Sequence, residues 1–208
     1  MTDSSAVKRQ DPACVRPEPA RIFSIAAAHL LNDWYMNYIQ TLLPFLVAAG
    51  LNVSRGAFLI SAFTATSSLL QPVFGYLADQ KNQRWMVYAG TLWMASLLSL
   101  TGILENYSLQ LLAVACAGLG TAAFHPQASA MVTALSGSRK GFFQALFIAA
   151  GNVGWAFTPL MVVPFTQKYG LRMTPLAALP GLLVAVLLCF TAPRISTGGG
   201  AVISPFWP

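Results

Sequence analysis

Six long apolar stretches alternate with short polar segments along this chain of 208 residues. Each stretch reaches the ~20 residues that an α-helix needs to cross a hydrocarbon core of ~30 Å. Glycine and proline occur in several of them, which membrane helices tolerate when neighbouring groups satisfy the freed backbone. The stretches cover residues 22–49, 56–78, 85–104, 108–135, 141–166 and 173–192. The pattern predicts an all-α membrane protein with six transmembrane helices.

Polar flanks divide the chain into three parts. Residues 1–21 carry charges and prolines without an apolar core, which predicts a disordered cytoplasmic tail rather than a signal peptide. Residues 22–192 form the predicted six-helix bundle, because the connections inside it are short. Residues 193–208 contain a run of glycines and are too short to span, so we expect a flexible C-terminal tail.

Composition and charge agree with a membrane location. Apolar residues make up 56% of the chain and charged residues 9%, whereas ordinary soluble domains are about 25% charged. If the N-terminus is inside, nine basic residues lie on the cytoplasmic side and three on the outer side. The positive-inside rule then predicts a multi-pass protein of the cell inner membrane with both termini in the cytoplasm. This bias accounts for the net charge of +6, so no nucleic-acid partner is predicted. The cytoplasmic set is Lys8, Arg9, Arg16, Arg21, Lys81, Arg84, Arg139, Lys140 and Arg194, and the outer set is Arg55, Lys168 and Arg172.

Asp33 is the one acidic residue deep inside a predicted span. Counting along the helix places it about 17 Å into the membrane, near the midplane. An intramembrane carboxylate is costly, so it should face the bundle interior or a water-filled cavity. His29 lies one turn earlier on the same helix face, and Asn37 lies one turn later. A carboxyl and an imidazole this close can exchange a proton near neutral pH, which predicts proton coupling or substrate binding. A hydrogen-bonded structural pair is the alternative.

His125 is the second of two histidines and directly precedes Pro126. Proline removes one helical donor and frees the carbonyl of Ala122, so the backbone can bend or bind a ligand there. Counting residues puts His125 in the cytoplasmic third of the membrane, at a depth similar to that of His29. We therefore predict that the two histidines are close enough to share a water or a substrate, with Asp33 nearer the midplane. A kink with a solvated histidine is the alternative.

A polar stripe runs along the second span at intervals of four residues and ends in a charged loop. Gly75 in this stripe allows another backbone to approach closely. Asp79 lies at the C-terminal end of its own helix, where the helix dipole disfavours a negative charge. It is better placed to meet another helix N-terminus or Arg84, so we predict a cytoplasmic gate formed by these residues. The stripe consists of Ser67, Gln71, Gly75 and Asp79.

The fifth span carries small residues at helical spacing, among them Gly151 and Gly154, with Pro159 nearby. Small residues let membrane helices approach closely, and helix packing is the role predicted for these three. A weak similarity between the second and fifth spans, at opposite membrane polarity, fits a 3+3 inverted repeat. Coincidence explains that similarity equally well.

The sequence offers no arrangement suited to catalysis. Three isolated cysteines show neither metal-binding spacing nor a disulfide framework. Histidine and acidic residues lack the spacing of a zinc motif, and no phosphate loop or nucleophile elbow is present. We predict no enzyme activity, no cofactor and no metal.

Four sequence blocks resemble the fosmidomycin-resistance branch of the major facilitator superfamily. They are residues 29–37, 67–79, 124–128 and 151–154, within a resemblance that runs over residues 22–192. The resemblance implies alternating access to the two sides of the membrane and, for exporters, proton-coupled antiport. Two departures stand out. Asn82 and Gln83 occupy positions where the superfamily loop usually has Gly-Arg, and Thr158 precedes Pro159 where a glycine is usual.

The residues and the resemblance together predict a secondary active transporter that exports a drug or small metabolite with protons. The superfamily has twelve spans and the apolar pattern supplies six, so we expect the N-terminal half of such a transporter. Expected partners are the lipid bilayer, a small-molecule substrate, protons, and a second half or a second copy of this chain. The alternative is a truncated, non-transporting membrane fragment or an assembly partner.

Overall fold

The computed structural model describes residues 17–80 and 83–193, and every regular element in those ranges is helical. Two 3₁₀ segments, Gly137–Arg139 and Leu171–Ala177, lead into the last two α-helices. The prediction of an all-α protein is confirmed for this part of the chain, whereas most of both predicted tails lies outside it. The α-helices are α1 (Pro19–Met36), α2 (Tyr38–Ala48), α3 (Val53–Leu69), α4 (Gln71–Gln80), α5 (Trp85–Leu100), α6 (Tyr107–Leu135), α7 (Lys140–Tyr169) and α8 (Ala178–Thr191).

Two pairs of helices follow one another almost without interruption. Between α1 and α2, Asn37 N donates to Asp33 O at 3.2 Å and Thr41 N donates to Asn37 O at 3.1 Å, so the hydrogen-bond ladder continues. Between α3 and α4 the break falls at Leu70, shortly before Pro72. Proline has no N–H to donate to the preceding turn, which explains an interruption at that place.

Within the described residues, four helical runs are long and apolar enough to cross a membrane: Val53–Gln80, Tyr107–Leu135, Gly137–Tyr169 and Leu171–Thr191. α5 is apolar but shorter. The first predicted span is represented by α1 with α2, and it carries polar residues in its middle. Large apolar side chains cover much of the outer surface, with Phe190 84% and Leu183 70% exposed. A surface of this kind suits contact with lipid.

Side-chain caps define two helix starts on the side predicted to be outside. Asn52 Oδ1 accepts from Ser54 N at 2.8 Å before α3. Asn106 Oδ1 accepts from Ser108 N at 2.8 Å and from Leu109 N at 3.2 Å before α6. Both caps satisfy backbone donors that the first helical turn leaves free, and they allow the connections before α3 and α6 to be short.

α1 packs closely against α7, and this contact orients the middle of α1. A methyl group added at Gly154 would overlap the backbone carbonyl of Leu30. One turn later, Thr158 Oγ1 donates to Trp34 O at 2.9 Å. Small residues permit such close approach between membrane helices. α6 packs in turn against α3 and α5, and α5 against α8.

The buried apolar residues form two clusters towards opposite ends of the helices. One cluster uses the later part of α1 with the beginning of α6, and the other uses the beginning of α1 with the later part of α6. Polar residues of both helices lie where the clusters meet. There, Thr121 Oγ1 of α6 donates to Asn32 Oδ1 of α1 at 3.0 Å. The first cluster includes Tyr35, Tyr38, Phe63, Leu98 and Val114, and the second includes Ile22, Val87, Phe124, Val132 and Phe143.

Candidate functional site

His29 and Asp33 form a pair on α1 that faces α7. His29 Nε2 lies 3.4 Å from Asp33 Oδ2, as the one-turn spacing predicts. The imidazole stacks on the Phe147 ring with centroids 3.9 Å apart and an interplanar angle of 11°. Its Nδ1 lies 2.7 Å from Phe147 O. Because a carbonyl oxygen only accepts, Nδ1 carries a proton and donates it to this oxygen.

His125 on α6 completes a cluster of three side chains. His125 Nε2 lies 3.5 Å from Asp33 Oδ1, and the two imidazole rings are perpendicular with centroids 5.0 Å apart. One donor atom from each of the three residues lies within 4.8 Å of the other two. The structure thus brings together the two histidines and the carboxylate selected from the sequence, with Asp33 in contact with both rings.

The tautomer of His29 determines what its contact with Asp33 can be. With Nδ1 donating to Phe147, a neutral His29 presents the lone pair of Nε2 to an oxygen of Asp33. Two acceptors that face each other repel. A proton on Asp33 or on His29 Nε2 would turn this contact into a hydrogen bond.

The second oxygen of Asp33 forms no hydrogen bond to the described part of the chain, although His125 Nε2 lies near it. Asp33 Oδ1 is buried and has no hydrogen-bond partner among the described residues. A buried polar atom in this state costs free energy unless a proton, water or ligand satisfies it. Gly151 of α7 closes the other side of the carboxyl group, because a methyl group there would overlap Asp33 Oδ2. The free oxygen is thus directed toward His125.

An open cleft of about 450 Å³ reaches both histidines. Its volume is in the range of small-molecule sites, which run from about 300 to 1,000 Å³. Gln71 and Ser129 add polar groups to a wall that is otherwise aromatic and apolar. The lining consists of His29, Gln71, His125, Pro126, Ser129, Phe147 and Ile148. A polar molecule that enters this cleft meets both histidines of the cluster directly.

Three contributors to the site were not selected from the sequence. Gln71 lies in the polar stripe of the second span, and that stripe was its available signal. Phe147 acts through its ring and its backbone oxygen, which a sequence pattern does not reveal. Met36 places its sulfur 3.3 Å from His125 Nε2; the sequence placed it only on a polar and aromatic surface of the first span, without a partner.

Asn37 lies outside the cluster. Its side-chain Nδ2 donates to Trp155 O at 3.0 Å. Its contact with Trp155 and the Thr158 bond to Trp34 O both join α1 to α7. In the described structure Asn37 therefore anchors the end of α1 against α7.

The residues predicted to form a gate occupy separate positions. A methyl group added at Gly75 would lie 3.7 Å from Pro126 Cβ, which is an ordinary packing distance. Asp79 is exposed near the end of α4 and forms no ion pair with a basic residue of the described ranges. Arg84 precedes α5 and lines a different pocket, together with Arg21. Lys81 and Asn82 lie outside the described residues.

The residues predicted to pack helices are divided between two faces of α7. Gly151 and Gly154 are buried against α1. Pro159 is exposed within α7. Thr158, which precedes it, is fully buried and carries the contact with α1.

The apolar helices and the polar cluster between them define a multi-pass membrane protein. The chain belongs to the Major Facilitator Superfamily, whose sequence profile matches residues 25–202. The family predicted from the four sequence blocks is thereby confirmed.

Three relatives share a substantial part of this chain. It is 32% identical over 166 residues to the Fosmidomycin resistance protein of Escherichia coli K12. It is 27% identical over 180 residues to the MFS-type transporter YfnC of Bacillus subtilis, and 31% identical over 123 residues to the Multidrug resistance protein MdtG of Citrobacter koseri. These matches cover 79%, 83% and 59% of this chain but 41%, 44% and 30% of the relatives. The chain thus spans less than half the length of the curated relatives it matches.

Proposed function

We propose that this chain belongs to a secondary active transporter that exports a drug or small metabolite in exchange for protons. The observation that carries the proposal is the contact of His29, Asp33 and His125 at the edge of a cleft. Such a cluster holds a proton that a ligand in the cleft can displace. The names of two relatives, a fosmidomycin resistance protein and a multidrug resistance protein, support export of a toxic small molecule.

We further propose that the chain contributes six membrane spans arranged as a 3+3 inverted repeat. The four long apolar runs supply four of these spans, α1 with α2 supplies a fifth, and the shorter α5 supplies a sixth. The excess of basic residues, nine against three, supports cytoplasmic termini in the cell inner membrane. A second half, or a second copy of this chain, would cover the polar cleft on the side that the described helices leave open.

Proton exchange at Asp33 provides the coupling step of the proposed mechanism. A proton that enters the cluster either neutralises the Asp33 carboxylate or converts His29 to an imidazolium that pairs with this carboxylate. A substrate that binds at Gln71 and His125 favours release of this proton, because both compete for the same polar groups. Alternating access would deliver the proton and the substrate to opposite sides. Gly75, Asp79 and Arg84 border the cytoplasmic loop that would gate this motion.

A non-transporting fragment or assembly partner is the second candidate. The matches to less than half of each relative favour it. The two candidates differ in whether this chain moves a substrate when it is the only protein in the membrane.

Proton flux in reconstituted vesicles distinguishes them. We expect fosmidomycin added to vesicles that contain the purified chain to cause a proton movement, and Asp33→Asn to abolish it because an amide cannot exchange the proton. Glu105→Gln is the matched control, since Glu105 lies in the loop before α6. Flux that Asp33→Asn leaves unchanged contradicts the proton role of Asp33. Absence of flux from the folded parent chain, for fosmidomycin and a panel of other drugs, supports the second candidate.

A further inference from the structure

We propose that His29, Asp33 and His125 bind a divalent transition-metal ion at the edge of the cleft, with Zn²⁺ or Co²⁺ as the fitting chemistry. The site goes beyond the proposed transport function and does not depend on it. The sequence shows no metal-binding motif here, because two of the ligands come from α1 and the third comes from the distant α6.

The donor set fits a borderline metal. Two imidazole nitrogens and one carboxylate oxygen are ligands that Zn²⁺ and Co²⁺ share, whereas Mg²⁺ and Ca²⁺ prefer oxygen alone. Three protein ligands with one open position are also typical of zinc sites that exchange a ligand. The cleft lined by His29 and His125 provides access for a fourth ligand.

Each histidine nitrogen lies at a tetrahedral ligand–ligand distance from one oxygen of Asp33, and the two nitrogens face different oxygens of that carboxyl group. Metal–ligand bonds of about 2.0–2.2 Å place neighbouring ligand atoms roughly 3.3–3.6 Å apart in a tetrahedron. His29 Nε2 to Asp33 Oδ2 is 3.4 Å, and His125 Nε2 to Asp33 Oδ1 is 3.5 Å. The donor atoms of the three residues all lie within 4.8 Å of one another, so binding of one ion would draw them slightly closer together.

The surroundings of His29 already match those of a metal ligand. Metal-bound imidazoles usually donate their other ring N–H to a carbonyl or a carboxylate, which fixes the tautomer and the ring orientation. His29 Nδ1 donates to Phe147 O at 2.7 Å, so the lone pair of Nε2 points to Asp33. The ring is also held by stacking on Phe147.

A bound cation resolves the unsatisfied polar group of the site. Asp33 Oδ1 is buried without a hydrogen-bond partner among the described residues, and a metal ion would satisfy it. No basic side chain of the described ranges pairs with Asp33 apart from the two histidines. The cluster therefore has room for a positive charge that the protein itself does not supply.

Metal binding to the purified chain in detergent tests this proposal without any measurement of transport. The protein carries no polyhistidine tag, and its cysteines, Cys14, Cys116 and Cys189, are replaced by serine so that thiolates do not compete. We expect Co²⁺ to bind saturably at one ion per chain with the visible absorption of a tetrahedral site. Zn²⁺ added in calorimetry should bind at the same ratio and displace Co²⁺.

Ligand variants locate the ion. His125→Gln and Asp33→Asn should each weaken Co²⁺ binding by at least about tenfold. Loss of a residue that only hydrogen-bonds to a metal ligand already weakens metal affinity by about tenfold or more, and loss of the ligand itself has a larger effect. Glu105→Gln should bind like the parent. If the Asp33 variant misfolds, His125→Gln still tests the site, because His125 is partly exposed and its replacement should disturb the fold less. Lack of saturable binding by the folded parent, or equal binding by His125→Gln, overturns the proposal.

Discussion

At the scale of single residues, His29 links α1 to two other helices. Its ring meets the edge of the His125 ring from α6 and stacks on Phe147 from α7. Its Nδ1 donates to the backbone of α7, and its Nε2 faces Asp33. A shift of α7 along α1 therefore changes the geometry of the cluster of His29, Asp33 and His125 directly.

Substitution of Gly151 tests this link. We expect Gly151→Ala to lower the free energy of unfolding by about 1–3 kcal/mol, the usual effect of overpacking a buried contact. The added methyl group would overlap Asp33 Oδ2 and crowd the His29 ring, so proton exchange at the cluster should fall as well. Thermal unfolding in detergent measures the first effect, and proton flux in vesicles measures the second.

Gly141→Ala is the matched control in the same helix. A methyl group at Gly141 meets nothing within 4 Å. Because alanine favours helix over glycine, this variant should be neutral or more stable by up to about 1 kcal/mol. Equal behaviour of the two variants would show that the close contact between α7 and the cluster is absent in the protein.

The sequence predicts the ionisable members of the site better than their surroundings. His29 and Asp33 follow from helical spacing, and His125 follows from its depth in a span. Phe147 contributes a carbonyl oxygen, an atom that every residue has, so no pattern singles it out. Asn37 shares the spacing of Asp33, yet its amide reaches Trp155 O, because the side chain lies where α1 meets α7.

At the scale of helices, two capped starts determine how α3 and α6 leave the short connections before them. Asn52 and Asn106 each accept hydrogen bonds from first-turn backbone donors. Tyr35 plays a comparable part at the start of α8, where its hydroxyl donates to Ala177 O at 2.5 Å and accepts from Gly181 N at 3.0 Å. Side chains thus define helix ends in both polar and apolar surroundings.

Removal of the α6 cap should destabilise the fold measurably. Asn106→Ala leaves two backbone donors without an acceptor and should lower the free energy of unfolding by about 0.5–2 kcal/mol. Asn152→Ala is the control, because Asn152 is exposed within α7 and alanine is the better helix former. The midpoint of thermal unfolding in detergent should fall in the first variant only. A similar fall in both variants would argue against the cap.

The lengths of the apolar stretches predict most helix bounds, and tertiary contacts explain the differences. The stretches 108–135 and 141–166 correspond to α6 (Tyr107–Leu135) and α7 (Lys140–Tyr169). The stretch 173–192 instead begins as a 3₁₀ segment, and the Tyr35 hydroxyl contacts the backbone where this segment gives way to α8. Such a partner belongs to a distant helix, so local sequence does not reveal it.

At the scale of the molecule, the apolar clusters at the two ends of the helices leave a polar layer between them. His29, Asn32 and Thr121 lie in that layer, and the cleft opens from it. Two separately packed ends are compatible with the proposed alternating access. Large apolar side chains on the outside make both ends suited to contact with lipid.

Thiol labelling tests the proposed orientation of the whole bundle. Ser54, in the first turn of α3, and Ser138, in the 3₁₀ segment before α7, are exposed, and they are predicted to lie on opposite sides of the membrane. In a cysteine-free background, Ser54→Cys should react with a membrane-impermeant maleimide on intact cells. Ser138→Cys should react only after the membrane is made permeable. The reverse pattern would invert the orientation, and labelling of both on intact cells would contradict an odd number of spans between them.

The acceptor for His29 Nδ1 is a main-chain atom, and this has a consequence for how the site tolerates genetic change. Any residue at position 147 brings the same carbonyl oxygen, so a substitution there removes the aromatic stack while the protonated nitrogen of His29 stays the same. The hydrogen bond to His29 Nδ1 therefore depends on the position of the α7 backbone and not on the identity of residue 147.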